Sequence, residues 1–400
     1  MIFREQCPIC GKSNRDSKEV FYRDFSPCSE LVPFRSYRVY RCRGCGLVYA
    51  GDIEESMPLN DYYKQMSRYE GDNFTLLPKL QKHYRLAAEA WQSVIKQNAV
   101  ILDVGCAFGG LLNEFRKLGY KDLCGLEPSR TNCDYAMKNY GIKVFNGSLG
   151  DDVFGGKKFD LVILSGVLEH LMEIRPSIRL CRELLKDDGI LGIIVPDIAM
   201  FAEHKDLYQE FSIEHINYFG IDSLGNVMMS EGFLPESYVQ DHESLMGLSG
   251  NMITAWRTGG GVFQKGVLQH DTSEISLKNY MDECSEFRKK LSENMGRFDV
   301  SRGFYIWGAG TNTVMLVQMK IVPADFIRGV FDSNKNYRGL EAYGWPVLPP
   351  ERLKDMEPLP VLISSQYAFA AIRKTMDEMG LVNEVIDLFE AEQKAGGKKS

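Results

Sequence analysis

The segment Ala99 to Gly110 constrains this chain more than any other. An apolar run, Val100-Ile101-Leu102-Asp103-Val104, ends in an acid and passes at once into Gly105-Cys106-Ala107-Phe108-Gly109-Gly110. Apolar positions then recur at helical spacing from Leu111 to Leu118. A strand followed by small residues and a helix lets the backbone come close to a ligand at the helix N-terminus. Short apolar runs continue to alternate with amphipathic stretches as far as Ile194, the β-α-β rhythm of a parallel sheet.

Such a glycine loop is common to nucleotide-binding folds of several kinds, and the second strand narrows the choice. Leu123-Cys124-Gly125-Leu126 ends in Glu127-Pro128, roughly the twenty-residue interval at which an acid reaches ribose hydroxyls. The next run, Phe159 to Leu164, leads into Ser165-Gly166-Val167-Leu168-Glu169-His170-Leu171.

A chain of 400 residues exceeds what one core usually serves, so two or three domains are expected. Hydrophobic residues make up 44% and charged residues 25%, as in ordinary globular proteins. No stretch approaches the roughly 18 apolar residues of a spanning helix, and the charged N-terminus does not read as a secretory signal. The expectation is a cytoplasmic protein with no membrane partner. A net charge of -7 argues against gripping a phosphate backbone, so no nucleic-acid partner is expected. The basic run Arg35 to Arg43 and the tail Lys394 to Lys399 read as solvated surface.

Four of the ten cysteines form two pairs, Cys7-Pro8-Ile9-Cys10-Gly11 and Cys42-Arg43-Gly44-Cys45-Gly46. Each places two thiols around a tight turn, and together they supply a tetrahedral set suited to structural zinc. Packing of reduced cysteines is the plainer alternative. Cys28, Cys106, Cys124, Cys133, Cys181 and Cys284 lack such spacing and read as ordinary thiols. The expected fold class is α/β in three parts. Residues 1–75 form a zinc module with a Tyr-rich connector, 76–258 a Rossmann-like domain, and 259–400 a smaller Rossmann-like domain beyond Gly259-Gly260-Gly261.

Leu-Asp-Val-Gly-Cys, Gly-Leu-Glu-Pro and Val-Leu-Glu-His-Leu occur in order, and through them the sequence resembles the class I S-adenosylmethionine-dependent methyltransferases. The resemblance implies that Asp103 and Gly105 border the methionine moiety of S-adenosylmethionine. It also implies that Glu127 holds the ribose, and that Ser165, Gly166 and Val167 line the pocket. Cys106, Ala107, Phe108, Gly109 and Pro128 complete the cofactor set, with Tyr63 of the connector added from among Tyr62, Tyr63 and Tyr69. His170 reads either as a group orienting a helix or as a catalytic imidazole.

Beyond the fifth strand, Gly192 to Pro196, an acid and an imidazole adjoin in Phe211-Ser212-Ile213-Glu214-His215-Ile216-Asn217-Tyr218-Phe219. A histidine near its ordinary pKa accepts a proton at neutral pH, although such a pair also serves as a cap or core element. The whole order resembles the zinc-containing nucleotide-sugar C-methyltransferases, which act on keto-deoxysugars. By that resemblance His215 is the base and Glu214 its supporting carboxylate, and a nucleotide-sugar is the partner. The family commonly has a Tyr three residues before this His, where this chain has Ser212; Phe211, Tyr208 and Tyr218 are candidates for that space. A sugar hydroxyl is the alternative acceptor. RNA methylation with the zinc module as reader, and a non-catalytic scaffold, are less favoured.

In the C-terminal part Trp307-Gly308-Ala309-Gly310-Thr311-Asn312-Thr313 follows a strand, and Asp332 closes the next. Read alone this is a dinucleotide fingerprint with its third glycine replaced by Thr313. The resemblance makes it a degenerate partner that helps hold the nucleotide-sugar.

Overall fold

A computed structural model describes residues 2–57, 78–243, 249–259 and 272–389. The expected site residue Tyr63, with Tyr62 and Tyr69, lies outside them. The N-terminal part is an antiparallel sheet of β1 (Ile2–Phe3), β2 (Lys18–Asp24), β3 (Phe34–Arg41) and β4 (Val48–Glu55), in the order β1-β4-β3-β2. The cysteine pairs sit in the turns that precede β2 and β4.

The central domain opens with α1 (Pro78–Gln92). Its buried stripe is His83, Ala87, Ala88 and Trp91. The Trp91 ring lies against Gly192, where a Cβ would come within 2.9 Å of it, and its indole donates to the Thr254 carbonyl at 3.0 Å. Glycine is therefore what lets the helix rest flat on the sheet.

That sheet contains β5 (Val100–Val104), β6 (Asp122–Glu127), β7 (Lys143–Asn146), β8 (Phe159–Ser165) and β9 (Leu185–Pro196), all parallel. They alternate with α2 (Gly110–Lys117), α3 (Arg130–Tyr140) and α4 (Ile174–Leu184). After β9 come β10 (Asn217–Tyr218), α5 (Ile221–Ser230), β11 (Phe233–Asp241) and β12 (Asn251–Thr258). The seven-stranded order is β11-β12-β9-β8-β5-β6-β7, with β12 antiparallel to both neighbours. Strand order reverses between β5 and β8, and in such doubly wound sheets ligands sit beyond the carboxyl ends at that crevice. The fold is thus Rossmann-like α/β, as expected. Strand β11 was not expected: its exposed residues mix Leu234 and Tyr238 with Glu236 and Gln240, and Pro235 interrupts its pattern.

The C-terminal sheet follows α6 (Ser273–Met295). It comprises β13 (Phe304–Trp307), β14 (Ile327–Phe331), β15 (Glu341–Ala342), β16 (Trp345–Leu348), β17 (Val361–Ile363) and β18 (Val385–Ile386), with α7 (Thr311–Gln318) and α8 (Phe369–Met379). Its order, β15-β16-β14-β13-β17-β18, again reverses beside the strand that carries the glycine loop.

The three parts are not separate globules. One apolar core joins Phe25 and Tyr37 of the N-terminal sheet to Phe211, Tyr280 on α6, and Trp307 and Phe331 of the last sheet. Strand β10, although it follows the central sheet's fifth strand, pairs with β4 through Asn217↔Tyr49 and Tyr218↔Val48. Among the described residues no helix is long and apolar enough to cross a membrane.

Candidate active site

A cleft of about 1950 Å³ lies at the carboxyl ends of the central strands. Its lining includes Asp103 to Phe108, Glu127, Pro128, Ser165 to Val167, Glu169, His170, Ser212, Glu214 and His215. Across from these it is lined by Gly308, Gly310, Asp332 and Ser364 of the C-terminal domain. Every expected cofactor residue among those described faces this cleft except Gly109, which caps α2 from behind at a φ of 79°.

The loop owes its shape to backbone chemistry. Gly105 has a φ of 73°, and a Cβ there would meet the Val167 side chain at 2.7 Å, so only glycine fits. Its N–H donates to the Leu126 carbonyl at 2.7 Å, which ties the loop to the end of β6. Glu127 is buried and accepts from the Ala107 N–H at 3.0 Å and the Ser129 N–H at 2.9 Å. Asp103 is 1% exposed, and its Oδ1 has no hydrogen-bond partner. Burial, with the charge of Glu127, pushes its carboxyl well above the usual range. A buried, unsatisfied acid beside a backbone cradle fits the cationic end of an amino-acid-bearing nucleoside.

The second half of the site brings together segments distant in sequence. His170 donates from Nδ1 to the Glu214 carbonyl at 3.0 Å, and its ring meets that of His215 edge-on at 4.8 Å between centroids. The Ile216 N–H donates to the Glu169 carbonyl at 2.9 Å. Asn217, 2% exposed, donates from Nδ2 to the carbonyls of Leu168 at 2.9 Å and Leu171 at 2.8 Å, holding the segment on either side of Glu169 and His170. Arg4 reaches in from the N-terminal part, donating to the carbonyls of Ile216 at 2.9 Å and Ala50 at 3.2 Å and to the Asn217 side chain. Burial first, then the neighbouring His170, lowers the His215 pKa well below its ordinary value, which keeps the imidazole neutral.

Ser212 has a definite task where a tyrosine was expected. Its Oγ accepts from the N–H groups of His215 at 2.9 Å and Glu214 at 3.2 Å, and its carbonyl accepts from Tyr37 at 2.6 Å. None of the three rings considered for that space lines the cleft. Tyr208 and Phe211 pack on Phe21 in the core, and Tyr218 donates to the His215 carbonyl at 2.8 Å. The carboxylate grouped with both imidazoles is that of Glu169, fully buried with Oε2 lacking a partner. Sequence reading left Glu169 unassigned because it stands 46 positions from His215.

Cys7, Cys10, Cys42 and Cys45 converge as expected, with Sγ atoms 3.5 Å apart for Cys7 and Cys45 and 3.4 Å for Cys10 and Cys42. These separations are far beyond a sulfur–sulfur bond and near the ~3.8 Å edge of a tetrahedral thiolate site with ~2.3 Å zinc–sulfur bonds. Positive φ at Gly11 and Gly46 closes both knuckles. In the C-terminal domain Asp332 accepts from the Ala309 N–H at 2.8 Å, the same device by which Glu127 holds Ala107.

Residues 77–237 match a protein-family model described as a methyltransferase domain. Ubiquinone biosynthesis O-methyltransferase of Cereibacter sphaeroides is 33% identical over 101 residues, 24% of this chain and 40% of that protein. That of Rhodopseudomonas palustris is 28% identical over 97 residues, 23% of this chain and 38% of its own. The chain thus spans about two fifths of the curated relatives it matches. Among solved structures, the N-methyltransferase NodS of Bradyrhizobium japonicum with S-adenosyl-L-homocysteine is 15% identical at a TM-score of 0.38, covering 48% of this chain and 94% of that one. Magnesium protoporphyrin IX methyltransferase of Synechocystis with bound SAM is 16% identical, also at 0.38, covering 50% and 95%. By its fold and its match to that family model over residues 77–237, the central part of this chain is a class I S-adenosylmethionine-dependent methyltransferase domain.

Proposed function

We propose that this protein transfers a methyl group from S-adenosylmethionine to a carbon of a nucleotide-activated keto-deoxysugar, with His215 as base. The observation that carries this reading is the shared cleft. One wall is the methyltransferase loop and the other the glycine loop of the C-terminal domain, with His215 also at its surface. A cleft of about 1950 Å³ is larger than the roughly 300–1,000 Å³ of a single small-ligand pocket, which suits a cofactor and a second nucleotide-bearing molecule together.

In this reading Asp103 meets the cofactor's ammonium, Gly105 borders its methionine and Glu127 its ribose. Bound S-adenosylmethionine would supply an electrophilic methyl, its sulfonium S–C bond breaking with the electron pair going to sulfur, which leaves S-adenosylhomocysteine. The neutral His215 imidazole takes the proton from the carbon beside the sugar ketone, and that carbon acquires the methyl. The proton held on His215 then passes to solvent. Glu214, one residue before the base, supports the turn that carries it. Gly308, Thr311 and Asp332 hold the nucleotide, with no redox role for that loop. The four cysteines hold a zinc ion that supplies structure alone, since four protein thiolates leave no open position.

O-methylation of a sugar hydroxyl is the second reading, favoured by the names of the sequence relatives; His215 would then act on an oxygen. Incubation with methyl-labelled cofactor and a panel of nucleotide-sugars, followed by NMR location of the label, decides between them. A label on carbon supports the first, a label on oxygen the second, and no transfer to any member overturns both.

A further inference from the structure

The methyl-transfer reading uses His215 and leaves Glu169 and His170 with no chemical task, yet one donor atom from each of these three residues lies within 4.8 Å of the others. Two imidazoles and a carboxylate are the donor set of borderline divalent transition ions, in contrast to the four sulfurs of the cysteine cluster. The supporting contacts are also those of a metal site. A ligating histidine almost always gives one ring N–H to a carbonyl or carboxylate, and His170 gives Nδ1 to the Glu214 carbonyl at 3.0 Å. Glu169 is 3% exposed with Oε2 unpartnered, and a buried oxygen in that condition calls for a cation or a hydrogen-bond donor. All three residues line the cleft, so an ion can enter from solvent.

We infer that Glu169, His170 and His215 form a dissociable site for a divalent transition ion such as Co²⁺, Ni²⁺ or Zn²⁺, and that occupancy silences methyl transfer by taking the lone pair of His215. The silencing rests on the assignment of His215 as base, whereas the binding does not. Proton abstraction and metal ligation use the same nitrogen, so the two states exclude each other. The backbone that frames the site is already fixed: Asn217 holds the Leu168 to Leu171 segment, and the Ile216 N–H reaches the Glu169 carbonyl.

The test begins with protein whose cysteine cluster is loaded with zinc. Co²⁺ is titrated in, and bound metal is counted by elemental analysis after desalting. The expected result is one Co²⁺ per chain beyond the zinc, with weak visible d–d bands and no thiolate charge-transfer band. Glu169→Gln and His170→Ala should each raise the Co²⁺ dissociation constant at least tenfold while zinc content stays constant. In the wild-type chain, paramagnetic broadening of two ¹⁵N-labelled imidazoles provides a reading that needs no variant. Absence of the extra Co²⁺, broadening of no imidazole pair, or unchanged affinity in both variants overturns the site. Binding without loss of methyl transfer overturns the silencing, and a failure to find any methyl acceptor leaves the metal count and the broadening standing.

Discussion

Asn217 pairs with Tyr49 in an antiparallel register, two residues beyond His215. The strand that begins two residues after the proposed base is thereby paired to the cysteine module's sheet, and Arg4 fastens the same junction by donating to the Ile216 carbonyl. The module therefore acts on the cleft through backbone geometry. On the proposed reading, Cys42→Ser should lower zinc content and kcat together while the dissociation constant of S-adenosylmethionine, assigned there to Gly105 and Glu127, changes severalfold at most. Elemental analysis, turnover and calorimetry check this; cofactor affinity lost in step with zinc would count against the coupling.

Asn217→Ala takes the side-chain donor from the carbonyls of Leu168 and Leu171, of which that of Leu168 keeps the Leu171 N–H at 3.4 Å. The expected cost is about 2 kcal/mol in unfolding free energy, with kcat falling more than cofactor affinity. Urea denaturation and titration calorimetry separate the two effects.

In the proposed function Glu127 serves cofactor binding and His215 the chemistry. Glu127→Ala removes the proposed ribose acceptor together with the group that holds the Ala107 N–H, so cofactor binding should be lost. His215→Ala should bind the cofactor normally and show no turnover. Retained turnover in the latter would remove His215 from its role.

Gly105→Ala places a side chain at a φ of 73° and 2.7 Å from Val167. Backbone strain of about 1–3 kcal/mol is expected, together with at least a tenfold loss of cofactor affinity in a chain that still folds. Melting temperature and calorimetry report the two parts.

Glu210 is 0% exposed, and burial, with the charge of Asp206, raises its carboxyl from 4.5 to about 8. The native chain keeps this proton at pH values where the unfolded chain has released it. Glu210 therefore favours the folded state most below about 4.5, and that contribution is lost as pH rises through about 8. The slope from this one group is at most about 1.4 kcal/mol per pH unit. Glu210→Gln should flatten stability across this window in urea melts, while its side-chain oxygen still accepts from the Ser249 N–H.

Much of this was legible in the sequence where chemistry is local. Gly105 announces a left-handed turn, Glu127 ends its strand at the expected interval, and the cysteine pairs carry their geometry in their spacing. What escaped was the work of distant contacts. β10 is only Asn217 and Tyr218, too short for any alternation, and its partner lies in another part of the chain. Glu169 stands in the sequence only as one letter of the Val-Leu-Glu-His-Leu motif until folding brings His215 beside it. Ser212 reads as a departure from a pattern, yet its hydroxyl supports two backbone N–H groups, a role that only the turn geometry reveals.

The grip of Arg4 on Ile216, across 212 positions, bears on the order of events during synthesis. Arg4 cannot complete this contact until the 212 positions that follow it have been made, and Pro27 waits longer still for the Tyr343 N–H at 2.7 Å. Contacts this remote make folding slow, and the apolar face of the nascent N-terminal sheet stays uncovered meanwhile, the condition in which chains aggregate or recruit chaperones.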